Sequence, residues 1–257
     1  MQLVDLSWPE VAARAAHTPI ILPIAAIEQH GHHLPVSTDS MLLAELIRRI
    51  SKPLHGQAIF APLMWLGNSD HHIDFPGTLS ARPRHYLDML GGLIDDMITH
   101  GFRRIVLLNG HGGNDIPGRQ AIFEARQRYR HRSDLLLLFV TYWDCARPWE
   151  TCGDLVQHFM GHACEWETSM MQCIVPDLVK EVRELETVSV EYGFAPSYRG
   201  WTSKDRTIPG HMGSPQYATP EKGEKLFAAF AEGVEKMIHQ TIAWDGHSWN
   251  PDNVQKS

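Results

Sequence analysis

Cysteine is scarce in this chain of 257 residues. Cys145, Cys152, Cys164 and Cys173 are the four, and no two form a CxxC pair. Such a set is not a disulfide scaffold and reads as buried thiols in a reducing compartment. Excess positive charge is also missing: the net charge is −7, which does not favour nucleic acid or an anionic membrane as partner. No apolar run approaches the ~18–20 residues needed to span a bilayer. The amino terminus, MQLVDLSWPE, has no basic segment followed by an apolar stretch, so no signal peptide is expected and a cytoplasmic enzyme is. Internal repeats, low-complexity tracts and linkers are absent as well, and residues 1–257 read as a single domain. GxSxG is absent, and Ser169 lies inside HACEWETS, which argues against a serine nucleophile.

What is present in excess is histidine, sixteen residues, several in tight groups. Hydrophobic residues at 43% and charged residues at 21% belong to an ordinary globular protein rather than a disordered or fibrous one. Short apolar runs at 20–27, 58–63, 104–108 and 135–143 predict buried strands. Helical spacing predicts helices over 40–50, 84–99 (closed by His100-Gly101), 117–132, 162–175 and 220–241, the last opened by Thr219-Pro220-Glu221. A loop-rich stretch covers about 187–217. Strands alternating with helices imply a mostly parallel sheet covered on both faces, an α/β fold.

In such sheets the reactive loops lie at the carboxyl ends of strands. The first is Glu28-Gln29-His30-Gly31-His32-His33, followed by Asp39. Its mix of carboxylate and imidazole suits Zn²⁺ or Mn²⁺, although Glu28 as a surface charge and Asp39 as a helix cap is an equal alternative. The second is Asn109-Gly110-His111-Gly112-Gly113-Asn114. It lacks the P-loop Lys-Ser/Thr and the GxGxxG spacing, so its glycines read as a sharp turn that points His111 into a crowded site. The third is His162-Ala163-Cys164-Glu165-Trp166-Glu167. If it opens a helix, His162, Glu165 and Trp166 share a face and Glu167 lies a third of a turn or more away. Together these residues suffice for two ions sharing a carboxylate, with Asp39 as the bridge; paired ions lower the pKa of a shared water towards ~7 and polarise a carbonyl.

PIAAIEQHGHHLPVSTD, FPGTLS, LLNGHGGND, YWD, HACEWETS and GHMGSPQYAT resemble the creatininase (creatinine amidohydrolase) family. The motifs keep the family's order from about residue 20 to 223. The resemblance implies a three-layer α/β/α fold with a mostly parallel sheet, a dinuclear metal centre and a homohexamer built as a trimer of dimers. It assigns Glu28, His30, Asp39 and His111 as ligands. Creatininases carry a further glutamate ligand where this chain has Gly113, and an apolar residue where it has Glu165. Glu165 is therefore assigned as the fifth ligand, with Glu167 as the alternative. His162 matches the family's proton-shuttling histidine and Glu167 an acid shared across the family; these two take the catalytic roles.

Substrate contacts are expected from Ser69, Gly112, Trp143 and His158. Gly112 and His158-Phe159 depart from creatininase, so creatinine is not the expected substrate. Relatives with the same motifs include formamidopyrimidine deformylases and a peptidase-like enzyme of redox-cofactor maturation, all breaking C–N amide-type bonds. The expected function is hydrolysis of such a bond in a cyclic amide, formamide or small peptide-like molecule by a hydroxide bridging two divalent ions, zinc first and manganese or iron as alternatives. A lactonase or other ester hydrolase on the same site, and a non-catalytic metal-binding protein, are the competing readings. Among the remaining residues, His71 and His72 either line the pocket or are solvated. At least one of His32 and His33 is structural, and Asp70 and Asp74 cap turns. Trp143, Trp149, Trp166 and Trp201 are candidates to stack on a planar ring, and Arg199 and Lys204 to read an anionic group.

Overall fold

A computed structural model describes residues 1–189, 193–194 and 196–248. The predicted domain's last residues, 249–257, and parts of the loop at 187–217 (residues 190–192 and 195) lie outside the described residues.

The chain opens with helix α1 (Trp8–Arg14), which the hydrophobic pattern did not predict. Its signal is local: Ser7 and Glu10 form a reciprocal capping box, with Pro9 in the first turn. Then follow β1 (Ile20–Ile24), α2 (Thr38–Ser51), β2 (Ile59–Phe60), α3 (Pro83–Thr99), β3 (Arg104–Asn109), α4 (Asp115–Arg128), β4 (Leu136–Thr141), α5 (Glu165–Ile174) and α6 (Pro220–Ala243). The strands form one parallel sheet in the order β2-β1-β3-β4.

Period-two alternation divides each central strand between two cores. Ile21, Val106 and Leu108 pack with α2, α5 and α6 on one face. Ile20, Leu22, Ile24, Ile105 and Leu107 pack with α3 and α4 on the other. The expected three-layer arrangement is observed. α5 and α6 lie close because Gly223 has no side chain; a Cβ there would overlap the carbonyl oxygen of Ser169.

β2 is much shorter than the predicted strand at 58–63. In a parallel ladder a residue turns its N–H and C=O to the same side, and Pro23 accepts from Met64 at 2.9 Å on the β2 side. Its missing N–H therefore falls towards β2, and regular pairing lapses beyond Phe60. The predicted strand at 135–143 stops at Thr141 and becomes a 3₁₀ turn, Tyr142–Cys145. The predicted helix at 162–175 begins only at Glu165.

α2 leaves β1 on one face and α3 enters β3 on the other. β1 and β3 thus flank the point where strand order reverses, where the ends of adjacent strands leave a crevice. Glu28 follows β1 and His111 follows β3, so topology alone sets these two loops opposite each other. Among the described residues no helix is long and apolar enough to cross a membrane.

Candidate metal centre

Burying a carboxylate without a partner is costly, yet Glu28, Asp39 and Glu167 are 1%, 4% and 4% exposed. They converge with His30 and His111. The Nδ1–H of His30 is donated to the Glu28 carbonyl (3.0 Å), leaving Nε2 3.1 Å from Asp39 Oδ1 and 3.7 Å from Glu167 Oε1. In His111 the roles are reversed: Nε2–H is donated to the Asn68 carbonyl (2.9 Å), and Nδ1 stands 3.0 Å from Asp39 Oδ2 and 3.4 Å from Glu28 Oε1. Each ring is oriented from behind by a backbone carbonyl, as metal-ligating imidazoles are. Asp39 presents one oxygen to each of them.

Glu28 Oε2, Asp39 Oδ2 and Glu167 Oε2 have no hydrogen-bond partner. Three buried carboxylates, each with one oxygen lacking a partner and packed against two imidazoles, fit divalent cations of the zinc or manganese type. Among the described residues, four groups of three side chains have ligand atoms mutually within 4.8 Å: Glu28-His30-Asp39, His30-His162-Glu167, Glu28-His71-His111 and Glu28-His72-His162. The electrostatics agree. Burial pushes His30 and His111 down, but Asp39 and Glu167 at the first and Glu28 and Asp39 at the second outweigh it and hold both well above the ordinary histidine value. Burial likewise raises Glu28, yet His111 and His72 bring it well below the usual carboxylate range. Glu167, where burial prevails over His30, is raised.

Glu165 is not with them. Its carboxylate accepts from the backbone N–H of Val156 (2.9 Å) and Gln157 (2.8 Å) and from Lys222 Nζ (2.7 Å). The expected fifth ligand is thus engaged in a buried ion pair, and Glu167 is the α5 acid that reaches the cluster. His162 lies before the helix and so does not share a helical face with Glu165 and Trp166. Ala163 adopts a left-handed backbone (φ +47°) that separates the two, and Cys164 caps α5.

His162 is nonetheless in the site. Its Nε2 lies 2.7 Å from the Gln29 carbonyl, and its Nδ1 lies 3.5 Å from Glu28 Oε1. With Nε2–H donated to that carbonyl, Nδ1 keeps the lone pair. Burial first, then His72 and His30, hold this histidine well below its ordinary value.

A cavity of about 900 Å³ opens onto the cluster. Trp143 and Gly112 line it as expected, but two expected contacts do not. Ser69 is fully buried, with Oγ 3.2 Å from His111 Nε2. His158 is exposed and stacks on Trp149, while its neighbour Phe159 faces the cavity. Trp201 lines it; Trp166 is core. The lining cations are Arg84 and Arg206 rather than Arg199 or Lys204.

His33 is structural, with Nε2 2.9 Å from Thr168 Oγ1. Asp70 accepts from Ser80 Oγ at 2.6 Å. His71 and His72, which the sequence allows as either pocket-lining or solvated, both belong to the cluster. The available signal was their place in the loop after β2, the third strand whose carboxyl end faces the crevice.

A family model described as creatinine amidohydrolase matches residues 4–238; the chain belongs to the creatininase family. The creatinine amidohydrolase of Pseudomonas putida is 29% identical over 254 residues, spanning 92% of this chain and 95% of its own. The mycofactocin precursor peptide peptidase of Mycolicibacterium smegmatis is 29% identical over 239 residues, spanning 91% and 86%. A crystal structure of creatininase superimposes with a TM-score of 0.79 at 28% identity, covering 93% of this chain and 96% of that one. Solved creatininases similar to this chain include a Zn–Zn form and a manganese form. This protein is accordingly a creatininase-family amidohydrolase with a candidate metal-binding cluster.

Proposed function

We propose that the protein hydrolyses a C–N amide-type bond, other than an ordinary peptide bond, in a small molecule, using two divalent cations held by Glu28, His30, Asp39, His111 and Glu167. The observation that carries this reading is the set of three buried carboxylates packed around two imidazoles, each ring turned towards them by a backbone carbonyl behind it. When bound, a pair of such cations lowers the pKa of a shared water towards ~7 and polarises a carbonyl oxygen.

The chain's own groups supply the rest. Asp39 bridges the two halves through its separate oxygens. The carbonyls of Glu28 and Asn68 lock the rings of His30 and His111 in one tautomer. His162, anchored through Nε2, offers Nδ1 to the cavity; there it takes a proton and delivers it to the leaving nitrogen. Trp143, Trp201 and Phe159 give the cavity apolar walls that hold a flat substrate and exclude water.

The test is metal content per chain, by plasma mass spectrometry on untagged protein purified without chelator, followed by a panel of cyclic amides, formamides and small peptides beside lactones and esters. About two ions per chain and turnover of an amide are expected. Turnover confined to esters would move the activity to a lactonase, and no ion after reconstitution with Zn²⁺ or Mn²⁺ would end the metal reading. A homohexamer is part of the same proposal, with sedimentation velocity as its check.

A further inference from the structure

Gln29 touches both of the histidines that flank Glu28, and it turns them in opposite directions. Its backbone carbonyl accepts Nε2–H of His162 at 2.7 Å, which leaves a lone pair on Nδ1 towards Glu28. Its side-chain amide meets the other ring, with Nε2 2.8 Å from Nδ1 of His72. Two backbone groups fix which end of that amide is the nitrogen. Oε1 accepts from the N–H of Gly31 at 2.9 Å, and Nε2 donates to the carbonyl of Gly210 at 2.9 Å. A flipped amide would set donor against donor at the first and acceptor against acceptor at the second. The second hydrogen on Nε2 goes to His72, since Nε2 of His162, 3.0 Å away, already carries a hydrogen for the Gln29 carbonyl.

Nδ1 of His72 is therefore an acceptor, with Ser203 Oγ 2.8 Å away on the same nitrogen. The ring proton sits on Nε2, the nitrogen 3.4 Å from Glu28 Oε1. So placed, Nε2 has no lone pair for a metal ion, although its distances to Glu28 and His162 would suit one. Nor is the N–H spent on the carboxylate, because a charge-assisted hydrogen bond is only ~2.7–2.9 Å long. The two rings stack at 27° with centroids 4.2 Å apart, and both line the cavity. One lone pair, from His162, and one N–H, from His72, thus stand side by side next to Glu28. The amide that sets them is itself fixed: Gln29 is buried, and Gly210 (φ +96°) makes room for it, since a Cβ there would overlap Gln29 Oε1.

We propose, on the hydrolytic reading above, that His72 is the hydrogen-bond donor for the substrate's carbonyl oxygen. As the attacking oxygen adds to the carbonyl carbon, the π pair of the C=O bond moves onto its oxygen, and Nε2–H of His72 meets the charge that develops there. The proton stays on His72. Carrying a proton to the leaving nitrogen remains the separate task of His162. A donor oriented before the reaction stabilises developing charge with no cost of reorganisation at the moment of attack.

The test compares wild type, His72→Asn and His72→Gln in kcat on the amide found in the panel, in bound metal, and in the ¹⁵N shifts of the histidine rings. The Asn amide reaches only as far as Nδ1, keeping a partner for Gln29, whereas the Gln amide reaches the position of Nε2 and restores a donor. In wild type the His72 signals, assigned by their loss from either variant, show a proton on Nε2 and none on Nδ1. His72→Asn keeps two ions and lowers kcat by about 10²–10³-fold, the usual effect of removing one such donor, and His72→Gln recovers at least about tenfold of it. A proton on Nδ1 of His72, or a His72→Asn kcat within about threefold of wild type, overturns the role of His72. Equal losses in the two variants, or an ion lost from His72→Asn, overturn it as well, making the ring a structural support or a metal ligand. In all four cases the ions and turnover of wild type leave the proposed function standing. A wild type with neither overturns both. Should His72→Asn fail to fold by circular dichroism, His72→Ala takes its place.

Discussion

Lys222 Nζ lies 2.7 Å from Glu165 Oε1, joining the first turns of α6 and α5 across 57 residues, with the lysine side chain 8% exposed and the glutamate fully buried. Removing one partner of a buried ion pair typically costs about 3–5 kcal/mol. Glu165→Gln is therefore expected to lower Tm by roughly 6–20 °C while leaving two ions bound. Glu167→Gln should show the opposite pattern, with an ion lost and Tm of the metal-free protein little changed. Differential scanning calorimetry with metal analysis separates them. An ion lost from Glu165→Gln would return that residue to the ligand set.

His111 is the group that joins the loop after β3 to Glu28 and Asp39. His111→Ala should lose activity and metal content together. Full activity in this variant, measured on the substrate found in the panel, would remove His111 from the ligands.

For His162 the expectation is a loss of rate without loss of metal. His162→Asn keeps the ion count and lowers kcat by about 10²–10⁴-fold, the usual contribution of a positioned acid or base. A kcat within threefold of wild type would assign the proton to another group.

Metal affinity should depend on pH with a known sign. Asp39 with Glu167 holds His30 well above the ordinary histidine value, and Glu28 with Asp39 does the same for His111, so the metal-free protein favours the protonated form of both rings. Binding a cation must displace that proton. Affinity therefore rises with pH through the neutral range, and calorimetry in buffers of different ionisation enthalpy should record proton release. Zero release at pH 7 would contradict the placement of these rings.

Stability has its own pH signature. Burial, aided by His211 and His30, lowers His33 to about 3, whereas an unfolded histidine titrates near 6.5. The folded state resists the proton, so this contribution is complete above pH ~6.5 and is lost as pH falls towards about 3, at no more than about 1.4 kcal/mol per pH unit. Urea unfolding of metal-free His33→Gln should show a shallower loss between pH 6 and 4 than wild type.

Much of the fold was legible because two periodicities sufficed to find it. The runs at 20–27 and 104–108 are apolar at consecutive positions because both faces of β1 and β3 are covered. Glu28, His30, Asp39 and His111 were brought together by the resemblance, from one loop, the first turn of α2 and the loop after the clearest strand. What escaped depends on single backbone events. Pro23 shortens β2 by withholding one donor. Ala163 breaks the helical phase between His162 and Glu165, which exchanges the roles of Glu165 and Glu167. Lys222 lies far from Glu165 in sequence, and no local pattern couples them. His71 and His72 could be read equally as pocket-lining or solvated, because nothing local ties the loop after β2 to Glu28 and His111.

The left-handed backbone at Ala163 also sets this corner of the molecule at odds with its own stability. An L-residue with a side chain in that region is destabilised by about 1–2 kcal/mol, and glycine is not. Ala163→Gly is expected to raise the melting temperature. The same change gives the peptide that orients Nδ1 of His162 freedom to swing, and turnover should fall as thermal tolerance improves. A melting temperature raised with turnover intact would show instead that the strain at Ala163 does nothing for His162.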